Sequence, residues 1–154
     1  MLALNPDDAG AYLVRGNAYG DKGDFEHAIA DYSRAIAIEP ANATAYNGRC
    51  WVGVIVGREL QQALGDCNES LRLRPKNADT LDSRGFAYYM LGRMDEAIAD
   101  FDAALAINPK LASSLYGRGL AKQKKNTPGG EADIAAAMAI KPDIAKQLAG
   151  YGIK

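Results

Sequence analysis

The residues of this chain best suited to chemistry are arginines and aspartates that recur in matched numbers. An arginine returns every 34 or 35 residues, and an aspartate stands nine residues before each of four prolines. A guanidinium forms a two-pronged hydrogen bond with a carboxylate, and it can also bind a free anion. Both readings are open, but a catalytic or anion-binding site is rarely repeated at one period, so the pattern favours structural ion pairs. The arginines are Arg15, Arg49, Arg84 and Arg118, and the aspartates are Asp31, Asp66, Asp100 and Asp133.

The cysteines and the histidine are too few for a metal site or a nucleophilic active site. Cys50, Cys67 and His27 are the whole set, and no Cys-x-x-Cys occurs. Structural zinc sites need four such ligands. No companion acid or nucleophile is identifiable for His27. We therefore predict no catalytic residue, no metal, no cofactor and no enzymatic activity.

The composition argues against two further classes of protein. The net charge is -1 and the isoelectric point about 5.8, which disfavours a basic nucleic-acid-binding surface. No apolar run approaches the roughly 18 residues of a membrane helix, and the first residues lack the basic start of an export signal. We expect a soluble chain, and its sequence does not determine its cellular compartment. It is cytoplasmic, or periplasmic or secreted if an upstream signal peptide is missing.

The elements that must position these residues follow from the prolines. Pro6, Pro40, Pro75, Pro109 and Pro142 are separated by 34, 35, 34 and 33 residues. Proline cannot continue a helix, so each marks a helix end. Between prolines, apolar and small residues recur at three- and four-residue spacing, which is helical. Each interval therefore predicts a pair of helices, over 8–20, 24–38, 42–55, 59–73, 77–90, 94–107, 111–124 and 128–140.

Signature residues within the intervals resemble the tetratricopeptide repeat. That family follows W-x2-L-G-x2-Y, then A-x3-F, then P, over about 34 residues. The second interval departs with Cys50 and Cys67, and the fourth departs most. The first interval matches with Tyr12, Arg15, Gly16, Tyr19, Ala28, Tyr32, Ala35 and Pro40, and the third with Leu81, Arg84, Gly85, Tyr88, Ala97, Phe101, Ala104 and Pro109.

The resemblance implies an all-α fold, a right-handed superhelical α-solenoid of four helix pairs. We predict one domain over 1–154, with units at 7–40, 41–75, 76–109 and 110–142. A short capping helix is expected at 143–151, and 1–6 reads as the tail of a preceding unit. The run 129–153 is similar to the ending of bacterial members of this family.

The family's concave groove, lined by the first helix of each unit, implies a binding surface for a partner segment. Chaperone-binding members hold a carboxylate there with lysine, asparagine and arginine. Asn17 matches one of those positions, but the lysines and the arginine are absent, so we expect apolar and aromatic contacts instead. The predicted groove residues are Asn17, Asn47, Trp51, Asp79, Asp82, Phe86, Tyr89, Met90, Tyr116 and Leu120.

Two alternatives stay open for the cysteines. Cys50 and Cys67 replace contact positions on the two helices of one unit, so they are expected to lie close together. They form either a disulfide that staples the unit or two buried thiols.

The predicted function is a scaffold that binds a protein or peptide partner in the groove. Its rival is a self-assembling module that oligomerises through its exposed terminal helices. Light scattering separates the two, since only the second raises the mass with concentration.

Overall fold

The computed structural model describes residues 7–154, and over these residues the chain forms α-helices and no strands. The predicted tail of a preceding unit at 1–6 lies outside the described residues. The helices are α1 (Ala9–Asp21), α2 (Phe25–Ile38), α3 (Ala43–Val56), α4 (Leu60–Leu73), α5 (Ala78–Met90), α6 (Met94–Ile107), α7 (Ala112–Lys124), α8 (Gly130–Ile140) and α9 (Ile144–Gly150).

The first eight helices pack as four consecutive pairs, α1–α2, α3–α4, α5–α6 and α7–α8, here called units one to four. Within the units, a short turn joins the two helices. In units one to three a glycine in this turn adopts the left-handed conformation, with φ between +68° and +77°. A side chain is disfavoured there, which explains why Gly23, Gly57 and Gly92 recur. The units stack side by side into a right-handed superhelical solenoid, in which α1, α3, α5 and α7 are neighbours.

The predicted helix bounds agree with the structure to within one residue, except at the start of α8. Residue 128 was the expected start of α8, but the helix begins at Gly130, because Gly129 adopts φ +92°. Asp24 caps α2 through its side chain. Asp95 does not cap α6 but lies inside its first turn, where its negative charge interacts favourably with the helix dipole.

Aromatic side chains on the second helices wedge between neighbouring first helices where glycines leave room. Tyr32 of α2 lies against Gly16 of α1 and Gly48 of α3. Phe101 of α6 lies against Gly85 of α5 and is fully buried. Each wedge contacts its own unit and the next one, so the packing of one unit depends on its neighbour.

The C-terminal residues close one end of the solenoid. Ile144 and Leu148 of α9 are buried against α7 and α8, as the predicted cap requires. After α9 the chain crosses toward the concave face, where Ile153 is completely buried. None of the helices described over 7–154 is long and apolar enough to cross a membrane.

Candidate functional site

The four repeated arginines and aspartates meet within their own units. Each arginine, on the first helix, donates from Nε and Nη2 to the two carboxylate oxygens of the aspartate on the second helix. In unit three, Arg84 donates to Asp100 at 2.6 and 2.7 Å. The corresponding pairs are Arg15 with Asp31, Arg49 with Asp66, and Arg118 with Asp133, at 2.6–2.8 Å.

A further hydrogen bond links consecutive units, and the sequence reasoning missed it. The remaining Nη1 of the arginine donates to a polar side chain on the second helix of the preceding unit. The acceptors follow the wedge position of that helix by one residue, which is the signal that could have revealed them. The bonds run from Arg49 to Ser33 at 3.0 Å, from Arg84 to Asn68 at 3.0 Å, and from Arg118 to Asp102 at 2.7 Å.

The aspartates of these pairs are largely buried, as expected if the pairs are structural. The four aspartate side chains are only 7–11% exposed. Hydrogen bonding to Asp100 raises the pKa of Arg84 above its ordinary value. Although burial raises the pKa of Asp133, the hydrogen bonds and the positive charges of Arg118 and Lys122 together lower it by more. With both prongs of each arginine occupied, no row of free guanidinium groups remains for an anion.

The two cysteines are joined by a disulfide between α3 and α4. The Sγ atoms of Cys50 and Cys67 are 2.04 Å apart, and the Cα atoms 5.5 Å apart. The bridge stands where the neighbouring units place a glycine and an aromatic wedge. It therefore replaces the wedge of unit two by a covalent link.

The concave face holds a cavity of about 560 Å³ lined by units one to three, the start of α7 and the C-terminal segment. Its volume falls in the range of roughly 300–1,000 Å³ that is common for ligand sites. The lining comprises Asn17, Gly20, Asp21, Phe25, Tyr32, Asn47, Gly48, Trp51, Val52, Ile55, Asp79, Asp82, Ser83, Leu111, Ser113, Gln147 and Tyr151.

Five of the ten predicted groove residues line this cavity, namely Asn17, Asn47, Trp51, Asp79 and Asp82. The other five lie beyond it, toward unit four. Phe86, Tyr89 and Leu120 are buried in the core, and Met90 and Tyr116 pack against that core while half-buried.

The C-terminal segment explains this division of the groove. The Tyr151 ring meets the Trp51 ring edge-on at 5.9 Å, and the Tyr89 hydroxyl donates to the backbone oxygen of Lys154 at 2.8 Å. Ile153 is buried in the same apolar cluster as Phe86. The C-terminal segment thus covers the part of the groove beside Trp51 and Tyr89, and the open cavity lies next to it. Sequence reasoning missed Gln147 and Tyr151 as lining residues.

The open cavity is rich in acceptors of hydrogen bonds. Asp21 and Asp79 are exposed at its rim, while Asp82 is half-buried. No lysine or arginine of the described residues lines it. The Asn47 Oδ1 atom is buried and accepts no hydrogen bond, whereas the Asn17 Oδ1 atom accepts one from the Tyr32 hydroxyl at 2.8 Å.

Asp82 carries a distinct electrostatic cost. Burial raises the pKa of Asp82 to about 6, and the nearby Asp79 carboxylate raises it too, against hydrogen bonds from Ser114 and Ser113 that lower it. The Ser114 Oγ donates to Asp82 Oδ1 at 2.5 Å. At neutral pH the cavity therefore holds a partly buried carboxylate without a cationic partner among the described residues.

Replacing Asp82 with Asn is expected to raise the free energy of unfolding at pH 7 by about 2 kcal/mol. The folded protein binds the Asp82 proton more tightly than the unfolded chain does, because the Asp82 pKa is about 6 in the folded state, against an ordinary value of 3.8. The free energy of unfolding therefore falls as the pH rises from about 4 to about 6. Asn keeps an acceptor for Ser114 and removes that fall. Urea unfolding at several pH values measures it, with Glu131→Gln, at an exposed site on α8, as control. Identical pH profiles for wild type and Asp82→Asn would contradict the assignment.

Comparisons with known proteins agree with this architecture. The family model described as TPR repeat matches residues 16–49 and 87–126. Stress-induced-phosphoprotein 1 of Caenorhabditis elegans is 35% identical over 78 residues, which is 49% of this chain and 23% of that protein. The chain spans between 9% and 25% of the length of the curated relatives it matches.

Two solved structures are similar to this chain in three dimensions. The second TPR of Spaghetti (RPAP3), bound to the HSP90 peptide SRMEEVD, is 30% identical with a TM-score of 0.64, and the match covers 68% of this chain and 90% of that one. MamA is 22% identical with a TM-score of 0.76, covering 92% of this chain and 83% of that one. At that identity, the likeness to MamA concerns the fold alone.

Proposed function

This chain belongs to the tetratricopeptide-repeat family, and from that premise we propose that it is a non-enzymatic scaffold that binds a segment of a protein partner. Domains of this family act as protein–protein interaction modules, and some bind peptides. The observation that carries the proposal is the open cavity on the concave face, with Trp51 in its wall. Tryptophan is among the residues that contribute most to binding at interfaces.

The kind of contact should differ from that of the peptide-bound relative. The RPAP3 domain is bound to SRMEEVD, a peptide with three acidic residues. In this chain the cavity offers carboxylates and no lysine or arginine within the described residues. An acidic segment would meet repulsion, so the proposal excludes a chaperone-type carboxylate clamp.

The groove in this proposal is shorter than the predicted one. Asn17, Asn47, Trp51, Asp79 and Asp82 are its binding residues. The more distant Phe86, Tyr89, Met90, Tyr116 and Leu120 support the wall through the core and the C-terminal segment. The unit divisions at 7–40, 41–75, 76–109 and 110–142 are kept as part of the same proposal.

A photo-cross-linking residue placed at Ile55, in the cavity wall, should capture a partner from a cell extract. The matched control places the same residue at Ala106, which is exposed on α6 outside the cavity. The product should depend on light, appear only with the Ile55 variant and weaken when Trp51 is changed to Leu. Mass spectrometry of the product identifies the partner and the cross-linked segment.

Equal capture at Ile55 and Ala106, or capture at Ala106 only, would show that partners bind elsewhere. Circular dichroism of each variant checks that the helices remain. The readout is thereby separated from loss of the fold.

Self-assembly is the second candidate, and one observation favours it. Val14 of α1 is 68% exposed, more than any other large apolar side chain of the described residues, and a second copy of the chain would cover it. The C-terminal helix is a weaker contact surface, because Ile144 and Leu148 already bury its apolar side. In a light-scattering concentration series, a constant monomer mass would favour the scaffold and a rising mass would favour self-assembly.

A further inference from the structure

We propose that the concave cavity is a seat for a cationic side chain, lysine or arginine, on the segment of the partner protein. This inference rests on the proposed function and adds the chemical class of the ligand. It is carried by the charge of the cavity, by an acceptor without a donor and by the shape of the walls.

The charge of the cavity has one sign. Asp79 and Asp82 lie one helical turn apart on α5, and Asp21 stands across the opening at the end of α1. The described residues that line the cavity include no lysine or arginine, and Arg84, two residues after Asp82, binds Asp100. A ligand is therefore needed to supply the positive charge that balances these carboxylates.

A second and independent observation points to a ligand that donates hydrogen bonds. Asn47 Oδ1 is buried beside the cavity without a donor, the one such side-chain atom among the described residues. Buried acceptors are nearly always paired in folded proteins, because an unpaired one costs about 1–3 kcal/mol. An ammonium carries three N–H donors and a guanidinium five, and neither carries an acceptor. Such a group brings donors and no acceptor to a cavity whose wall holds carboxylates and an unpaired amide oxygen.

The walls suit the stem of such a side chain. Trp51, Phe25, Ile55 and Leu111 give apolar surface between the polar groups. Lysine and arginine bury their methylene stems against such surface while the charged end binds an anion. The Trp51 ring also attracts a cation placed over its face, by about 0.5–2 kcal/mol.

The stability cost of Asp82 fits the same function. A partly buried carboxylate without a counter-ion destabilises the folded chain, and a bound cation would remove that penalty. Binding residues often carry such a cost, since the group is arranged for a ligand and not for the fold.

The test uses the side chain alone, so that no peptide sequence has to be guessed. Isotope-labelled protein is titrated by NMR with N-acetyl-arginine amide, and in parallel with the uncharged N-acetyl-citrulline amide, which has nearly the same shape. N-acetyl-lysine amide and N-acetyl-glutamate amide complete the series. Trp51 is the single tryptophan, so its indole signal and its fluorescence report directly on the cavity.

Saturable shifts of the Trp51 indole and the Asn47 side-chain amide are expected with the arginine and lysine probes. Affinity for arginine should exceed that for citrulline by about tenfold, as one charge-assisted contact implies. Asp79→Asn with Asp82→Asn should bring the two within about twofold of each other. Glu131→Gln, an exposed carboxylate on α8, is the matched control and should leave the preference unchanged.

Equal affinity for arginine and citrulline, shifts confined to residues outside the cavity, or no saturable shift would each overturn the inference. These outcomes are distinct from failure of the proposed function. Cross-linking at Ile55 with no preference for the cation would retain the scaffold and remove only its cationic ligand. Loss of the Ile55 cross-link would remove the scaffold itself.

Discussion

Phe101→Ala is expected to lower the free energy of unfolding by about 4 kcal/mol, because it empties the wedge that joins units three and four. The Phe101 side chain is fully buried and lies between α5 and α7. Its ring meets the Phe86 ring edge-on at a centroid distance of 4.9 Å, so the substitution also removes an aromatic pair. Urea unfolding measures the loss.

The same wedge makes a prediction for the glycines that face it. A Cβ atom at Gly117 would lie 2.5 Å from Phe101 Cζ, and one at Gly85 would lie 2.6 Å from Phe101 Cε1. The ring is held between the two helices and cannot move far from either. Gly117→Ala should therefore destabilise the protein by about 1–3 kcal/mol, although alanine is the better helix former.

A matched control separates steric conflict from helix propensity. Gly65 lies in α4 with no atom near the position of its missing Cβ, so Gly65→Ala should stabilise the chain by up to about 1 kcal/mol. Phe101→Leu should restore part of the stability of Gly117→Ala by making space. If Gly117→Ala were as harmless as Gly65→Ala, the wedge would not determine the spacing of α5 and α7.

The sequence predicts what recurs in this molecule and misses what occurs once. Gly85 and Phe101 could be placed in contact because the same pair of positions returns as Gly16 and Tyr32. The position of Tyr151 against Trp51 has no counterpart in any other unit, so no period indicates it. The predicted groove therefore includes residues such as Tyr89 that the C-terminal segment contacts, because that segment is not part of the repeat.

The candidate site shows the same limit in its electrostatics. Asp79 and Asp82 could be expected on the concave face from their register. The hydrogen bond from Ser114, and a cavity lining without lysine or arginine among residues 7–154, depend on how the units stack. Asn47 could likewise be placed on the face, but its unpaired oxygen follows only from the positions of all its neighbours.

The repeated arginine–aspartate pairs lead to the second large predicted effect on stability. Arg84→Ala is expected to cost about 3 kcal/mol, because it strands the buried Asp100 carboxylate and breaks the hydrogen bond to Asn68. Asp100→Ala should cost a similar amount. Since both substitutions remove the same two-pronged contact, the double variant should cost much less than their sum, with a coupling of about 2 kcal/mol. Urea unfolding of the four proteins measures this energy.

Arg15 and Asp31 are the matched comparison, because they form the same two-pronged hydrogen bond at a more exposed place. The Arg15 side chain is 39% exposed against 23% for Arg84. Within residues 7–154, no side chain of a preceding unit accepts from Arg15. Solvent screening should make its coupling clearly smaller than that of Arg84. Zero coupling at Arg84 and Asp100 would mean that the fork contributes nothing to stability. Equal coupling at both pairs would mean that the greater exposure of Arg15 does not weaken its contact with Asp31.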